Sequence, residues 1–181
     1  MSFIAHKLSD ILTDQLRVYF SNNEINATTS NDGRDIYFNQ WLSLILIANS
    51  DFRILIKTYF NDSTVRELAP DALKIAQISD HQGLGDYMKE LSNLFGGAVK
   101  RSLEASAISC GLSLPLIIYG FDELFAERLE TADCAFIKLG RKGFEITVQV
   151  HFEFLNLQVK EILSKINFSV SKESSGGFEF L

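Results

Sequence analysis

Leu8, Ile11, Leu12, Leu16 and Tyr19 recur at helical spacing, which predicts an amphipathic helix over residues near 3 to 21. The stretch from Asn22 to Gly33 is polar, rich in turn formers, and reads as a loop. Trp41 to Ile47 is then a continuous apolar run, and Asn49, Ser50 and Asp51 supply a turn. Phe52, Ile54, Ile56 and Phe60 next alternate with Arg53, Lys57 and Tyr59, a period of two, so the two segments predict a hairpin. Residues 62–76 read as helix in two pieces divided at Pro70, whose ring and missing N–H cannot continue a helix from before it.

Beyond Gly83 and Gly85 the pattern predicts one long helix, running to about Ala107. At about 100° per residue, Leu84, Tyr87, Met88, Leu91, Leu94, Phe95, Ala98, Val99 and Ile108 fall on one side. Asp86, Lys89, Glu90, Asn93, Gly96, Gly97, Lys100, Arg101 and Glu104 fall on the other. Gly97 lies between Glu90 and Asn93 around that polar face, where a larger side chain would hold a visitor away. Glycine inside a helix costs about 1 kcal/mol relative to alanine. Two in succession, Gly96 and Gly97, therefore indicate close approach by a packing neighbour or a partner.

Leu112 to Tyr119 is a further strand, and Pro115 within it implies an edge position or a bulge, because proline cannot donate to a ladder. Asp133 to Leu139 and Phe144 to Phe154 predict a second hairpin around Gly140-Arg-Lys-Gly143. Phe144, Ile146, Val148, Val150, Phe152 and Phe154 share one face, which covers a core. Glu145, Thr147, Gln149, His151 and Glu153 share the reverse, which is expected to meet solvent. Val159, Ile162, Leu163 and Ile166 suggest a short helix, and Ser171 to Leu181 reads as a loosely held tail. The expected fold class is α+β, an antiparallel sheet covered on one face by two long helices. A single domain is expected over residues 1–156, with a C-terminal extension over 157–181.

Composition narrows the chemistry. A length of 181 residues supports one domain with a core that needs no disulfides. The formal charge of −6 argues against nucleic acid as a partner, since such binding rests on neutralising phosphates with Lys and Arg. No run of about 18 apolar residues is present, so no membrane span is expected. The start lacks a basic region and cleavage site, which points to the cytoplasm. Cys110 and Cys134 have neither disulfide nor metal spacing and read as buried free thiols.

Glu90-Leu-Ser-Asn93-Leu-Phe-Gly-Gly97-Ala-Val-Lys100, followed by Leu112-Ser113-Leu-Pro115-Leu-Ile-Ile-Tyr-Gly120, resembles the CheC/CheX/FliY family of chemotaxis phosphatases. Members carry a Glu-x-x-Asn pair on a long helix, then a glycine and a lysine, then an apolar strand with a Ser-x-Pro element and a closing glycine. The match is specific over residues 86–120 and looks closest to CheX, because one helix alone carries the pair. The resemblance implies a phosphatase that removes the phosphoryl group from the aspartyl phosphate of a CheY-like response regulator. It also implies a homodimer joined through the sheets. Glu90 and Asn93 would be catalytic, with Gly97, Asp86 and Lys100 meeting the partner. No cofactor is expected in this chain; Mg2+ would come with the regulator. The alternative is a non-catalytic adaptor or dimerisation module that binds a regulator or a flagellar switch component. Three departures stand: Ala98 where CheX-like members often have Asn, no second Glu-x-x-Asn on the first helix, and a longer tail beyond Asn156.

The chemistry suits the residue types. Hydrolysing an acyl phosphate needs a water in line with the leaving carboxylate, so positioning is most of the task. A neutral amide such as Asn93 accepts from water and donates to a phosphoryl oxygen without repelling it. A carboxylate facing that dianion would be repelled, so Glu90 is expected to pair with a partner cation, such as the lysine beside the regulator's phosphorylation site.

Simpler readings compete. A second match, Glu153-Phe-Leu-Asn156, sits at a strand end, where alternation sends its two side chains to opposite faces. Lys100 and Arg101 alone read as solvated helix charges, and Asp86 as a helix cap. His6, His81 and His151 are scattered and are expected at the surface.

Overall fold

The computed structural model describes residues 3–30, 41–119 and 132–166. Its elements run α1 (Phe3–Phe20), β1 (Asn26–Ser30), β2 (Trp41–Ala48), β3 (Phe52–Phe60), α2 (Asp62–Leu68), α3 (Pro70–Ile75), α4 (His81–Ala105), β4 (Gly111–Leu112), β5 (Leu116–Tyr119), β6 (Ala132–Arg141), β7 (Phe144–Phe154) and α5 (Leu157–Lys165). The strands form one antiparallel sheet ordered β1-β6-β7-β3-β2-β4, with β5 also on β2. Here α1 lies over β1 and β6, and α4 over β2. The fold class is thus the one expected from the sequence.

Register explains the core. Ile45 pairs with Ile56, Ile56 with Val150, and Val150 with Ala135, so one apolar row crosses four strands. Leu8, Ile11, Leu12, Leu16 and Phe20 of α1 close over that face with Leu84, Met88, Leu91, Phe95 and Val99 of α4. Their burial is the main stabilising term. Leu163 and Ile166, on and just past α5, join the same core, whereas Ile162 is exposed.

Pro70 divides α2 from α3 as expected. The segment holding Pro115 splits into β4 and β5, both on β2, and Ser113 bridges them: its N–H donates to the Leu46 carbonyl at 2.8 Å. The Leu46 N–H donates in turn to Ser113 Oγ at 3.0 Å.

Four expectations are corrected. Part of the stretch read as a loop, Asn26–Ser30, is strand β1, which gains its ladder from β6 and so needs no apolar alternation of its own. The reverse face of β7 is not uniformly solvated, because Thr147 and Gln149 are buried. Tyr59 donates to Gln149 Oε1 at 2.8 Å, and Gln149 Nε2 donates to Cys134 Sγ at 3.4 Å, so that polar amide is satisfied in place. Gly96 belongs to the buried side of α4, not to the polar face. Two histidines are not simple surface residues: His81 is held by Asp62, with Nδ1 2.6 Å from Oδ2, and packs on Trp41 and Tyr119, while His151 is half-buried beside Cys134. The expected tail over Ser171 to Leu181 and the closing Gly120 lie outside the described residues, as do Asn31, Asp32 and Gly33 of the expected loop.

Candidate functional site

The start of α4 is set by Asp80, whose side chain accepts from the Gly83 N–H at 2.9 Å and satisfies an otherwise orphaned helix donor. The cap is therefore Asp80; Asp86 lies further in, exposed on the outer surface.

Three contacts fix how α4 is rolled on the sheet. A Cβ at Gly85 would come within 2.9 Å of the Trp41 ring, and one at Gly96 within 2.7 Å of Leu112 Cδ1 and 2.8 Å of Ile45 Cδ1. Between them Ser92 Oγ and Ser43 Oγ share a buried hydrogen bond of 2.5 Å. With residues 85, 92 and 96 against the strands, helical geometry turns 90, 93 and 97 outward. Glu90 is exposed and Asn93 half-exposed, and Asn93 Nδ2 donates to Glu90 Oε2 at 3.0 Å. Among the described residues these two groups have no hydrogen-bond partner but each other. Holding the amide by its nitrogen leaves Asn93 Oδ1 free to accept.

Gly97 differs from its neighbour Gly96. The atom nearest to a Cβ placed there is Arg101 Nη1, at 3.3 Å, so the surface is bare apart from one flexible side chain. Lys100 forms an ion pair along the helix with Glu104 at 3.6 Å. Ala98 is buried, so a side chain at this position acts on packing.

Two tyrosines brace this turn to α1. Tyr19 donates to the Tyr87 carbonyl at 2.8 Å, Tyr87 donates to the Tyr19 carbonyl at 2.9 Å, and the rings stack at 4.4 Å. The Tyr19 carbonyl lies in the last turn of α1, so the Tyr87 hydroxyl serves as its cap. Burial pushes the Tyr19 phenol far above its usual range, with Tyr87 and the charge of Glu90 adding to the shift. Sequence reasoning missed this brace, because it joins residues 68 positions apart in the chain.

The remaining candidates are employed elsewhere. Glu153 pairs with Arg53 at 3.0 Å, and Asn156 caps α5 by accepting from the Gln158 N–H at 3.0 Å, so that second motif is structural. Both cysteines are free, Cys110 buried and Cys134 half-buried, and burial pushes both thiols up. Among the described residues no group of three or more His, Cys, Asp or Glu could hold a metal ion, and no helix is long and apolar enough to cross a membrane.

An antiparallel sheet with two long helices on one face, one presenting an acid and an amide outward, defines the structural class. The particular fold is that of the CheX and CheC-like chemotaxis proteins. CheX of Vibrio vulnificus superposes with a TM-score of 0.69 at 16% identity, over 83% of this chain and 99% of that one. A CheC-like superfamily protein of Shewanella sp. PV-4 gives 0.66 at 14%, over 84% and 99%. A chain of the CheX–CheY–BeF3–Mg2+ complex from Borrelia burgdorferi gives 0.62 at 14%, over 82% and 96%. No protein-family profile matches the sequence. No curated protein matches it either.

Proposed function

We propose that this chain dephosphorylates the aspartyl phosphate of a CheY-like response regulator in chemotaxis or a related two-component pathway. The observation that carries the reading is the outward-facing pair on α4, Asn93 Nδ2 on Glu90 Oε2 at 3.0 Å, on a helix whose roll is locked from behind. The shared fold and the CheX–CheY complex among its structural neighbours support a CheY-like partner.

In this reading the regulator docks on the outer strip of α4, where Gly97 allows close approach and Asp86 and Lys100 make flanking contacts. Glu90 exchanges its bond to Asn93 for the ammonium of the regulator's lysine, a charge-assisted contact that anchors the complex. Asn93 then has both ends of its amide available. Oδ1 accepts from the attacking water, and Nδ2 donates to a phosphoryl oxygen. Held in line, the water displaces the aspartyl carboxylate; the gain is one of position, and no covalent intermediate on this chain is required. The Mg2+ that offsets phosphoryl charge is supplied by the regulator, and a chain acting on such a partner would work in the cytoplasm.

The test is a CheY-like receiver domain phosphorylated with acetyl phosphate and followed for loss of its phosphoryl group. Wild type accelerates the decay, Asn93→Ala does not, and Glu90→Ala chiefly weakens binding of the regulator. Equal decay with wild type and Asn93→Ala would reject the catalytic role. Retained binding lost on Glu90→Ala would then identify a non-catalytic adaptor.

A further inference from the structure

We propose that Arg101 is a third functional group of this surface, a guanidinium that contacts the phosphoryl oxygens once the regulator has docked; the inference rests on the phosphatase reading above. Residues 93, 97 and 101 succeed each other at one-turn intervals on α4, so their side chains lie along one outer strip. Helical side chains lean toward the N-terminus, and Arg101 does so: its Nη1 lies 3.3 Å from where a Cβ of Gly97 would be. One guanidinium nitrogen thus borders the spot that Gly97 leaves bare, on the same strip as Asn93. At about 1.5 Å rise per residue, Asn93 and Gly97 are separated by about 6 Å along the axis. A phosphoryl group presented to Asn93 therefore has the guanidinium within one helical turn.

The electrostatics agree with this placement. Arg101 is exposed and has no ion pair or hydrogen bond among the described residues, whereas Lys100 next to it is engaged by Glu104. Arginine can donate two parallel N–H bonds to a phosphoryl group, and it keeps its charge at any working pH. On the same strip Glu90 repels a dianion, so a free cation here offsets that penalty and draws charge off the transferring group. Atoms balance without a new bond to this chain: Arg101 donates hydrogen bonds, water attacks phosphorus, and the regulator's carboxylate leaves. Gly97 gains a second reason to lack a side chain, since a Cβ there would press on the guanidinium at 3.3 Å and shift it slightly.

Steady-state turnover of the phosphorylated receiver decides the matter, with Arg101→Ala, Arg101→Gln and Arg101→Lys compared at equal folding by thermal melt. Loss of kcat by about tenfold or more in the Ala and Gln variants, part of it regained by Lys, is the expected result. A kcat unchanged in Arg101→Ala while Asn93→Ala is inactive overturns the proposal and leaves the phosphatase reading standing. A wild-type chain that never accelerates the decay removes both.

Discussion

Ser43 and Ser92 share a 2.5 Å hydrogen bond in the core, directly behind the turn of α4 that presents Glu90 and Asn93. Ser92 Oγ also lies 3.2 Å from the Met88 carbonyl, so the strand hydroxyl, on Ser43, depends on Ser92. Removing one partner of a buried hydrogen bond leaves the other desolvated, which costs about 1–3 kcal/mol, whereas removing both is far milder. Ser92→Ala should therefore destabilise the protein by about 1–3 kcal/mol in urea titration, and Ser43→Ala/Ser92→Ala should cost less than the sum of the single changes. Strict additivity would show that the two hydroxyls do not rely on each other.

The adjacent glycines should respond with opposite signs. A methyl at Gly96 meets half-buried Leu112 at Cδ1, 2.7 Å, and buried Ile45 at Cδ1, 2.8 Å, and Cγ1, 3.3 Å, between helix and sheet. Overpacking of that kind costs about 1–3 kcal/mol against a gain of about 1 kcal/mol in helix propensity. Gly96→Ala should lower Tm. At Gly97 only the movable Arg101 guanidinium is near, so Gly97→Ala should raise Tm through the propensity gain of up to about 1 kcal/mol. Gly97→Leu should fold yet lose turnover of the receiver, because it fills the strip on which the regulator is proposed to dock. Equal Tm shifts for the two alanine variants would contradict the roll of α4 described above.

That contrast also marks how far the sequence could be read. Helical periodicity located α4 and put Glu90, Asn93 and Gly97 on its wet side, and period-two alternation located β3 and the core face of β7. What failed has a common physical cause, namely contacts that satisfy polar or small residues across the fold. Gly96 is angularly close to the polar strip, and only the strand beneath it shows that it is buried. Gln149 is polar by type, yet Tyr59 and Cys134 satisfy its amide within the sheet. Asn26–Ser30 has loop composition and becomes a strand because β6 offers it a ladder. The reach of Arg101 over Gly97 depends on a rotamer, which no spacing rule encodes.

Alkaline pH should loosen the tyrosine brace. The phenols of Tyr19 and Tyr87 are held above their ordinary value of 10.0, chiefly by burial. Below pH 10 both states keep these protons and the stabilisation is intact. Above it the unfolded chain releases them while the folded protein retains them, so stability falls as pH rises. The slope is up to about 1.4 kcal/mol per pH unit for each tyrosine. Denaturation measured from about pH 8 to about pH 11.5, a range that brackets the ordinary phenol pKa, should show this decline in wild type and a flatter profile in Tyr19→Phe/Tyr87→Phe. An identical profile in the double variant would assign the alkaline loss to other groups.

The edge of the sheet at β5 carries the last prediction. Leu114 is 90% exposed, and Leu116 and Tyr119 are each 56% exposed. β5 pairs with β2 alone among the described residues, so none of those residues takes up the backbone N–H and C=O groups of its outer edge. An apolar edge strand with open hydrogen-bonding groups favours pairing with another such edge, and two copies of this chain would present the same strand to each other. We therefore expect a concentration-dependent homodimer joined through β5. Light scattering across a dilution series should show dimer passing to monomer, and Leu116→Glu should shift that transition to higher concentration by setting two like charges at the joint. The pairing is symmetric, so a single substitution acts twice and its effect should exceed that of the same change at exposed Val18 on α1. A wild-type chain that scatters as a monomer at every concentration would reject the β5 interface.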